Sequence, residues 1–153
     1  MKYFIYSETL NPRQLKERAP EHVFVYRAYL QDHTIAFPRW SSQWQCGIAS
    51  IVPSPGDRVW GVVFEITQED LKILDQYGDE VPPGSFRHSL INVCLEHEED
   101  QTPRREMVTA HVAKQAGKFK PQDHYIDFVV AGLTHWKLPQ ECLDWWDAQR
   151  PPR

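Results

Sequence analysis

Apolar and polar positions along this chain fall into short blocks whose period switches between about 2 and about 3.6 residues, the two signatures of strand and helix. YFIYSE, close to the N-terminus, is an apolar and aromatic run that predicts a buried first strand. NPRQLKERAP then predicts a helical turn, with Asn11 accepting from exposed amides, Pro12 at the first helical position and Pro20 as the stop. Val23 to Phe37 reads as β structure interrupted near Gln31 and Asp32. GIASIVPSPGDRVWGVVFEI predicts two strand-like runs folded as a hairpin across PSPGD, where proline and glycine occupy turn positions.

Thr67 to Tyr77 is the clearest helix. Thr67 with Asp70 has the form of a capping box, and Ile66 with Leu71 that of a hydrophobic staple. Leu71 and Leu74 then face the core, and Gly78 ends the helix by accepting a left-handed backbone. FRHSLINVCLEH and REMVTAHVAK predict two more strands, joined by the charged connection HEEDQTPRRE. DHYIDFVVAGLTHW places Tyr125, Val129, Gly132/Leu133 and Trp136 on one helical stripe, and PQECLDWWDAQR predicts a last short helix. Strands dominate and helices are inserted between them. The pattern predicts an α+β fold with a curled mixed sheet, in a single domain over residues 1–153.

Composition narrows the function classes. The chain has 153 residues, 41% hydrophobic and 25% charged, with a net charge of -4, and no basic run or basic amphipathic helix, so no nucleic-acid partner is expected. Three cysteines, Cys46, Cys94 and Cys142, lie far apart without a CxxC pair, which suits a reducing compartment. The opening apolar run is too short for a signal peptide and no long apolar span follows, so the expectation is a soluble, cytoplasmic protein with no membrane partner.

Motif chemistry is sparse. There is no phosphate-binding glycine loop, no HExxH, no GxSxG and no zinc-ligand spacing. The seven histidines are scattered, so the sequence predicts no metal and no cofactor. Trp136, Trp145 and Trp146 offer a stacking surface for an adaptor, but aromatic residues at such spacing more often fill a core. Two loops remain: YSETLNP after the first strand, leading into a turn with free amides, and YGDEVPPG after the clearest helix.

These loops lie within a wider resemblance. GIASIVPSPGDRVWGVVFEITQEDLKILDQYGDEVPPGSF resembles the γ-glutamylcyclotransferase family, which includes γ-glutamylamine cyclotransferases and the plant avirulence-induced-gene proteins. The family pattern reads G-x-A-x-I, P-G-x-x-V-x-G-V-V, an LD-containing helix and an acidic turn E-G-V-x-x-G-x-Y. YFIYSETLNPRQLKER stands where the family has Y-F-A-Y-G-S-N-L, and KPQDHYIDFVVAGLTHWKLP is similar to the helix bearing a substrate-contacting tyrosine, which falls on Tyr125. The resemblance runs from about Tyr3 to Leu143. It implies a small mixed β-barrel flanked by helices, a pocket at one barrel end, no cofactor and a small γ-glutamyl substrate, in a monomer or homodimer.

The implied reaction releases 5-oxoproline, because the substrate's own α-amine attacks its γ-carbonyl. A carboxylate in a partly desolvated pocket takes and returns the proton, and backbone amides after the first strand stabilise the oxyanion. Tyr3, Phe4, Ile5, Tyr6, Ser7, Glu8, Thr9 and Leu10 are then expected to line the substrate, with Tyr125 at its polar end. Asp79 or Glu80 is expected as general acid/base.

The sequence departs from the family at both loops. Ser7, Glu8 and Thr9 replace glycine, serine and asparagine, so a side chain at Ser7 is expected to restrict the backbone and Glu8 to add negative charge. The acidic turn is one residue longer. Counting forward from Leu74 and Asp75 puts Gly78 on the catalytic glutamate; counting back from Val81 puts Asp79 there, with Glu80 on the following glycine. The competing reading is a catalytically impaired member that binds a small molecule or regulates a partner.

Overall fold

The structure, a computed structural model, describes residues 1–77, 86–96 and 104–152. Five strands close into a barrel: β1 (Lys2–Ile5), β2 (Val23–Ser41), β3 (Cys46–Glu65), β4 (Phe86–Leu95) and β5 (Arg105–Ala113), in the order β1-β3-β2-β4-β5. Neighbours are antiparallel except where β1 meets β5 in parallel, Tyr3 opposite Thr109, and closes the ring. Helices α1 (Pro12–Arg18), α2 (Gln68–Tyr77), α3 (Asp123–His135) and α4 (Gln140–Asp147) flank it. This is the α+β, mixed-barrel architecture expected. No helix among the described residues is long and apolar enough to cross a membrane.

The long strands β2 and β3 correct one expectation. PSPGD does not reverse the chain: both runs of β3 pair with β2, Arg58 facing Gln31 and Pro53 facing His33, so the intervening residues form a wide bulge. Asp32, at φ 61°, accepts the Gly56 amide through Oδ1 at 2.9 Å, and Gly56 itself sits at φ 87°. The interruption expected near Asp32 is the other side of this bulge. The reversal lies at residues 42–45, where the Gln45 amide donates to the Ser41 carbonyl at 2.7 Å.

Burial explains where alternation fails. Val62, Val63 and Phe64 are consecutive and fully buried, since one face of β3 lines the barrel and the other lies under aromatic rings. Phe64 meets Trp136 edge-on at 5.0 Å and His22 at 5.5 Å. Tyr3 to Tyr6 of the first strand region are buried in the same way. Helix α2 carries the capping box as read: the Thr67 amide donates to Asp70 Oδ2 at 3.1 Å, and the Asp70 amide to Thr67 Oγ1 at 3.0 Å. Helix α3 buries Tyr125, Ile126, Val129 and Leu133 completely, each such side chain contributing about 1.5–3 kcal/mol of transfer free energy. Trp146 is fully buried, edge-on to Phe37 and Trp145 and tilted against Tyr125, which removes it as an adaptor surface.

Candidate functional site

The chain leaves β1 through Tyr6 and Ser7 and tightens into a 3-10 turn over Glu8–Leu10. The Leu10 amide donates to the Ser7 carbonyl and the Asn11 amide to the Glu8 carbonyl, both at 3.0 Å. Ser7 takes φ -139°, so the restriction expected from replacing glycine does not come from a left-handed backbone. Asn11 caps α1 by accepting the Arg13 amide at 3.1 Å, while its Nδ2 donates to the Phe128 carbonyl at 3.0 Å. Trp136 Nε1 donates to the Leu10 carbonyl at 2.8 Å. These bonds draw α3 onto the turn. Gly132 permits the approach, because a Cβ there would stand 2.5 Å from the Asn11 nitrogen and 2.6 Å from the Leu10 carbonyl carbon.

Docking of α3 brings Tyr125 to Glu8. The Tyr125 hydroxyl donates to Glu8 Oε2 at 2.6 Å and accepts the Ala49 amide at 3.0 Å. Burial, and then the neighbouring Glu8 carboxylate, hold its pKa well above the ordinary phenol range, so the ring stays protonated. Trp44 packs edge-on against it at 5.3 Å. The Glu8 charge is also felt at Tyr6 and at Cys46, whose thiol is pushed up mainly by burial. One carboxylate, one buried phenol and the start of β3 thus share the end of the barrel reached by β1.

The other residues expected at the site divide. The Tyr6 hydroxyl donates to the His111 carbonyl at 2.9 Å, and burial raises its pKa. Tyr3 turns its hydroxyl to His111 Nδ1 instead of towards Glu8. Thr9 Oγ1 donates to Gln14 Oε1 and accepts Arg18 Nη1, each at 3.1 Å, within a buried polar cluster. Phe4, Ile5 and Leu10 are core residues; the Phe4 ring fills the space where a Cβ on Gly61 would lie. Asp79 and Glu80 lie outside the described residues.

Two features were absent from the sequence reading. Asp75 at the end of α2 lies between His88 of β4 and His111 of β5, its Oδ1 at 2.6 Å and 2.9 Å from their Nε2 atoms. The only signal available was that His88 and His111 fall opposite one another if β4 and β5 pair in register, as they do. A cleft of about 420 Å³ lies beside the β3 bulge and α4. At its wall Arg58 lies over the Tyr29 and Trp60 rings, 4.9 Å and 5.3 Å from their centroids, and pairs with Glu141 at 2.5 Å.

Residues 58–146 match the profile of the AIG2-like family, and the chain is 31% identical over 143 residues to mouse γ-glutamylcyclotransferase, covering 91% of this chain and 73% of the relative. This chain belongs to that γ-glutamylcyclotransferase family. The bovine γ-glutamylcyclotransferase is 30% identical over the same spans. A solved γ-glutamyl cyclotransferase superimposes with a TM-score of 0.87 at 26% identity, covering 99% of this chain and 88% of that one. A yeast γ-glutamyl cyclotransferase specific to glutathione shares the fold at a TM-score of 0.64 and 11% identity. For a γ-glutamylcyclotransferase-family barrel, the Tyr125–Glu8 junction falls on the two segments through which the resemblance expects substrate contact.

Proposed function

We propose that this protein is a γ-glutamylcyclotransferase-type lyase or acyltransferase, releasing 5-oxoproline from a small γ-glutamyl compound of the class that includes glutathione. The observation that supports it most is the Tyr125–Glu8 junction in a chain of this family. The substrate's α-amine forms a bond to its own γ-carbonyl carbon. The tetrahedral intermediate then breaks its bond to the departing amine, which takes up the proton lost by the α-ammonium. Because attack is intramolecular, positioning supplies much of the rate, and the protein has to move one proton and hold one oxyanion. We assign the proton to Asp79, with Glu80 as the neighbouring alternative, and the oxyanion to backbone amides following β1. Tyr125, kept protonated, is the donor to a polar end of the substrate. No step needs a cofactor.

The same contact raises a second reading. Glu8 already takes the Tyr125 hydroxyl. A substrate that needs this donor must displace that carboxylate or do without it, and a chain that has lost turnover would then remain a binding or regulatory protein. Incubating tag-free protein with γ-glutamyl amino acids, γ-glutamyl amines and glutathione, and following 5-oxoproline by mass spectrometry, separates the two. Product from any member supports the enzyme. Silence across the panel, with a rise in melting temperature on adding one of the compounds, supports the binding protein.

A further inference from the structure

We propose that Asp75, His88 and His111 form a binding site for a divalent transition-metal ion of the zinc class, distinct from the Tyr125–Glu8 junction. One ligand atom from each lies within 4.8 Å of the others. His88 and His111 are directly opposed on the antiparallel β4–β5 ladder, so their side chains leave the same face of the sheet, with ring centroids 4.7 Å apart. Asp75 reaches that face from the last turn of α2, and a single oxygen, Oδ1, lies against both Nε2 atoms.

The distances suit a small ion after a modest adjustment. Zinc holds imidazole nitrogen and carboxylate oxygen at about 2.0–2.2 Å, which puts tetrahedral ligand atoms roughly 3.4 Å apart. The present Nε2–Oδ1 separations are 2.6 Å and 2.9 Å. Admitting the ion therefore requires the carboxylate to withdraw by about 0.5–0.8 Å. Asp75 and His88 are 46% and 38% exposed, so this side-chain movement, and the entry of the ion, meet no packed core.

His111 is held for the task from behind. Tyr3, 2% exposed, sets its hydroxyl against His111 Nδ1, fixing the ring with Nε2 directed at Asp75. With hydrogen bonds alone, Nε2–H donates to Asp75 and Nδ1 accepts from Tyr3. With an ion on Nε2, Nδ1–H donates to the phenol oxygen, which serves equally well. The ligand set, two imidazoles and one carboxylate, selects zinc-class ions over magnesium and calcium, which prefer oxygen throughout. Three protein ligands leave a fourth position for water. The Arg18 guanidinium, felt at His111, opposes a cation, and the Asp75 carboxylate lies nearer to offset it.

Spacing conceals the site. Its ligands come from three elements, with Asp75 13 residues from His88 and 36 from His111. An ion would join the end of α2 to the paired strands β4 and β5, so its effect is a tether between the helix and the sheet.

Metal-stripped, tag-free protein titrated with zinc chloride by calorimetry tests the proposal, with cobalt chloride as a spectroscopic stand-in. We expect one equivalent taken up, with the intense visible bands of four-coordinate cobalt. Asp75→Asn and His88→Gln should each weaken uptake at least tenfold, and Tyr3→Phe about tenfold as the residue orienting His111. Circular dichroism on each variant keeps loss of fold apart from loss of a ligand. Absence of uptake at tens of micromolar zinc (far above the affinity of a working site) overturns the proposal. So does uptake that survives intact in both Asp75→Asn and His88→Gln, which would assign it to other histidines.

Discussion

The phenol of Tyr125 and the carboxylate of Glu8, 117 positions apart in the chain, meet at 2.6 Å and tie α3 to the turn that follows β1. The same phenol accepts the Ala49 amide, so one hydroxyl serves two buried or half-buried groups. Tyr125→Phe removes both bonds without changing the ring. The cost should be about 1–3 kcal/mol, the range for leaving a buried polar partner unsatisfied. For a chain of this length that lowers the melting temperature by several degrees. A calorimetric melting temperature within one degree of the parent, where about 2–4 degrees per kcal/mol is expected, would show the junction adds nothing to stability.

Glu8→Ser should separate fold from specificity. Like charges brought together at a binding surface cost several kcal/mol. Removing the Glu8 carboxylate should therefore lower KM for anionic γ-glutamyl substrates by roughly tenfold or more, about 1.4 kcal/mol per decade, with a smaller effect on neutral γ-glutamyl amines. Steady-state kinetics on one substrate of each kind checks this. An equal change for both would place the repulsion on the α-carboxylate that every γ-glutamyl substrate carries, and no change for either would mean that the Glu8 charge does not reach the substrate.

Gly132→Ala pits local preference against packing. Alanine favours a helix interior by about 1 kcal/mol over glycine. Here, however, the new methyl would stand 2.5 Å from the Asn11 nitrogen, and the obstacle is backbone. Overpacking at such a contact costs about 1–3 kcal/mol, so net destabilisation is expected, with α3 pushed off the turn that carries Glu8. Urea denaturation gives the sign directly; a more stable variant contradicts the close approach.

Local chemistry was legible in the sequence and long-range pairing was not. The Thr67–Asp70 capping box, the Asn11 cap and the stripe of α3 each depend on residues within a turn or two, and all appear as read. PSPGD reads as a hairpin turn because a bulge and a hairpin use the same residues; what separates them is that β2 pairs with both halves of β3. Glu8 was suspect on charge alone, yet its partner could be found only once Gly132 had let α3 dock. Asp75, His88 and His111 carry no motif and become neighbours through the register of β4 with β5.

Buried phenols predict the response to alkali. Burial is the main cause that raises the pKa of Tyr3, Tyr6 and Tyr125 above the ordinary value of 10.0. Above about pH 10 the unfolded chain releases these protons while the folded chain keeps them, so the unfolded state binds fewer protons and stability falls as pH rises. Phenolate absorbance of these rings should appear together with loss of circular dichroism, not before it. Tyr125→Phe, though less stable at neutral pH, should lose stability less steeply between pH 10 and 12. Free titration of all the tyrosines near pH 10 in folded protein would contradict their burial.

The last prediction concerns the acid. Strand β4 pairs with β5 in unbroken register from Phe86 opposite Ala113 to Cys94 opposite Arg105. A one-residue slip would turn every side chain of β4 to the other face, so counting back from this strand is better anchored than counting forward from a helix end. That count puts Asp79 where the resemblance expects the catalytic carboxylate. Asp79→Asn should then lower kcat by about 10²–10⁴, the usual contribution of a general acid/base, with the fold unchanged by circular dichroism. Glu80→Gln should keep most of the activity. Aspartate is one methylene shorter than the family's glutamate, and efficient proton transfer needs an approach of about 2.6–3.2 Å or one bridging water. Asp79→Glu should therefore raise kcat above the parent. If Glu80→Gln is the inactivating change while Asp79→Asn retains turnover, the count is off by one and the proton belongs to Glu80.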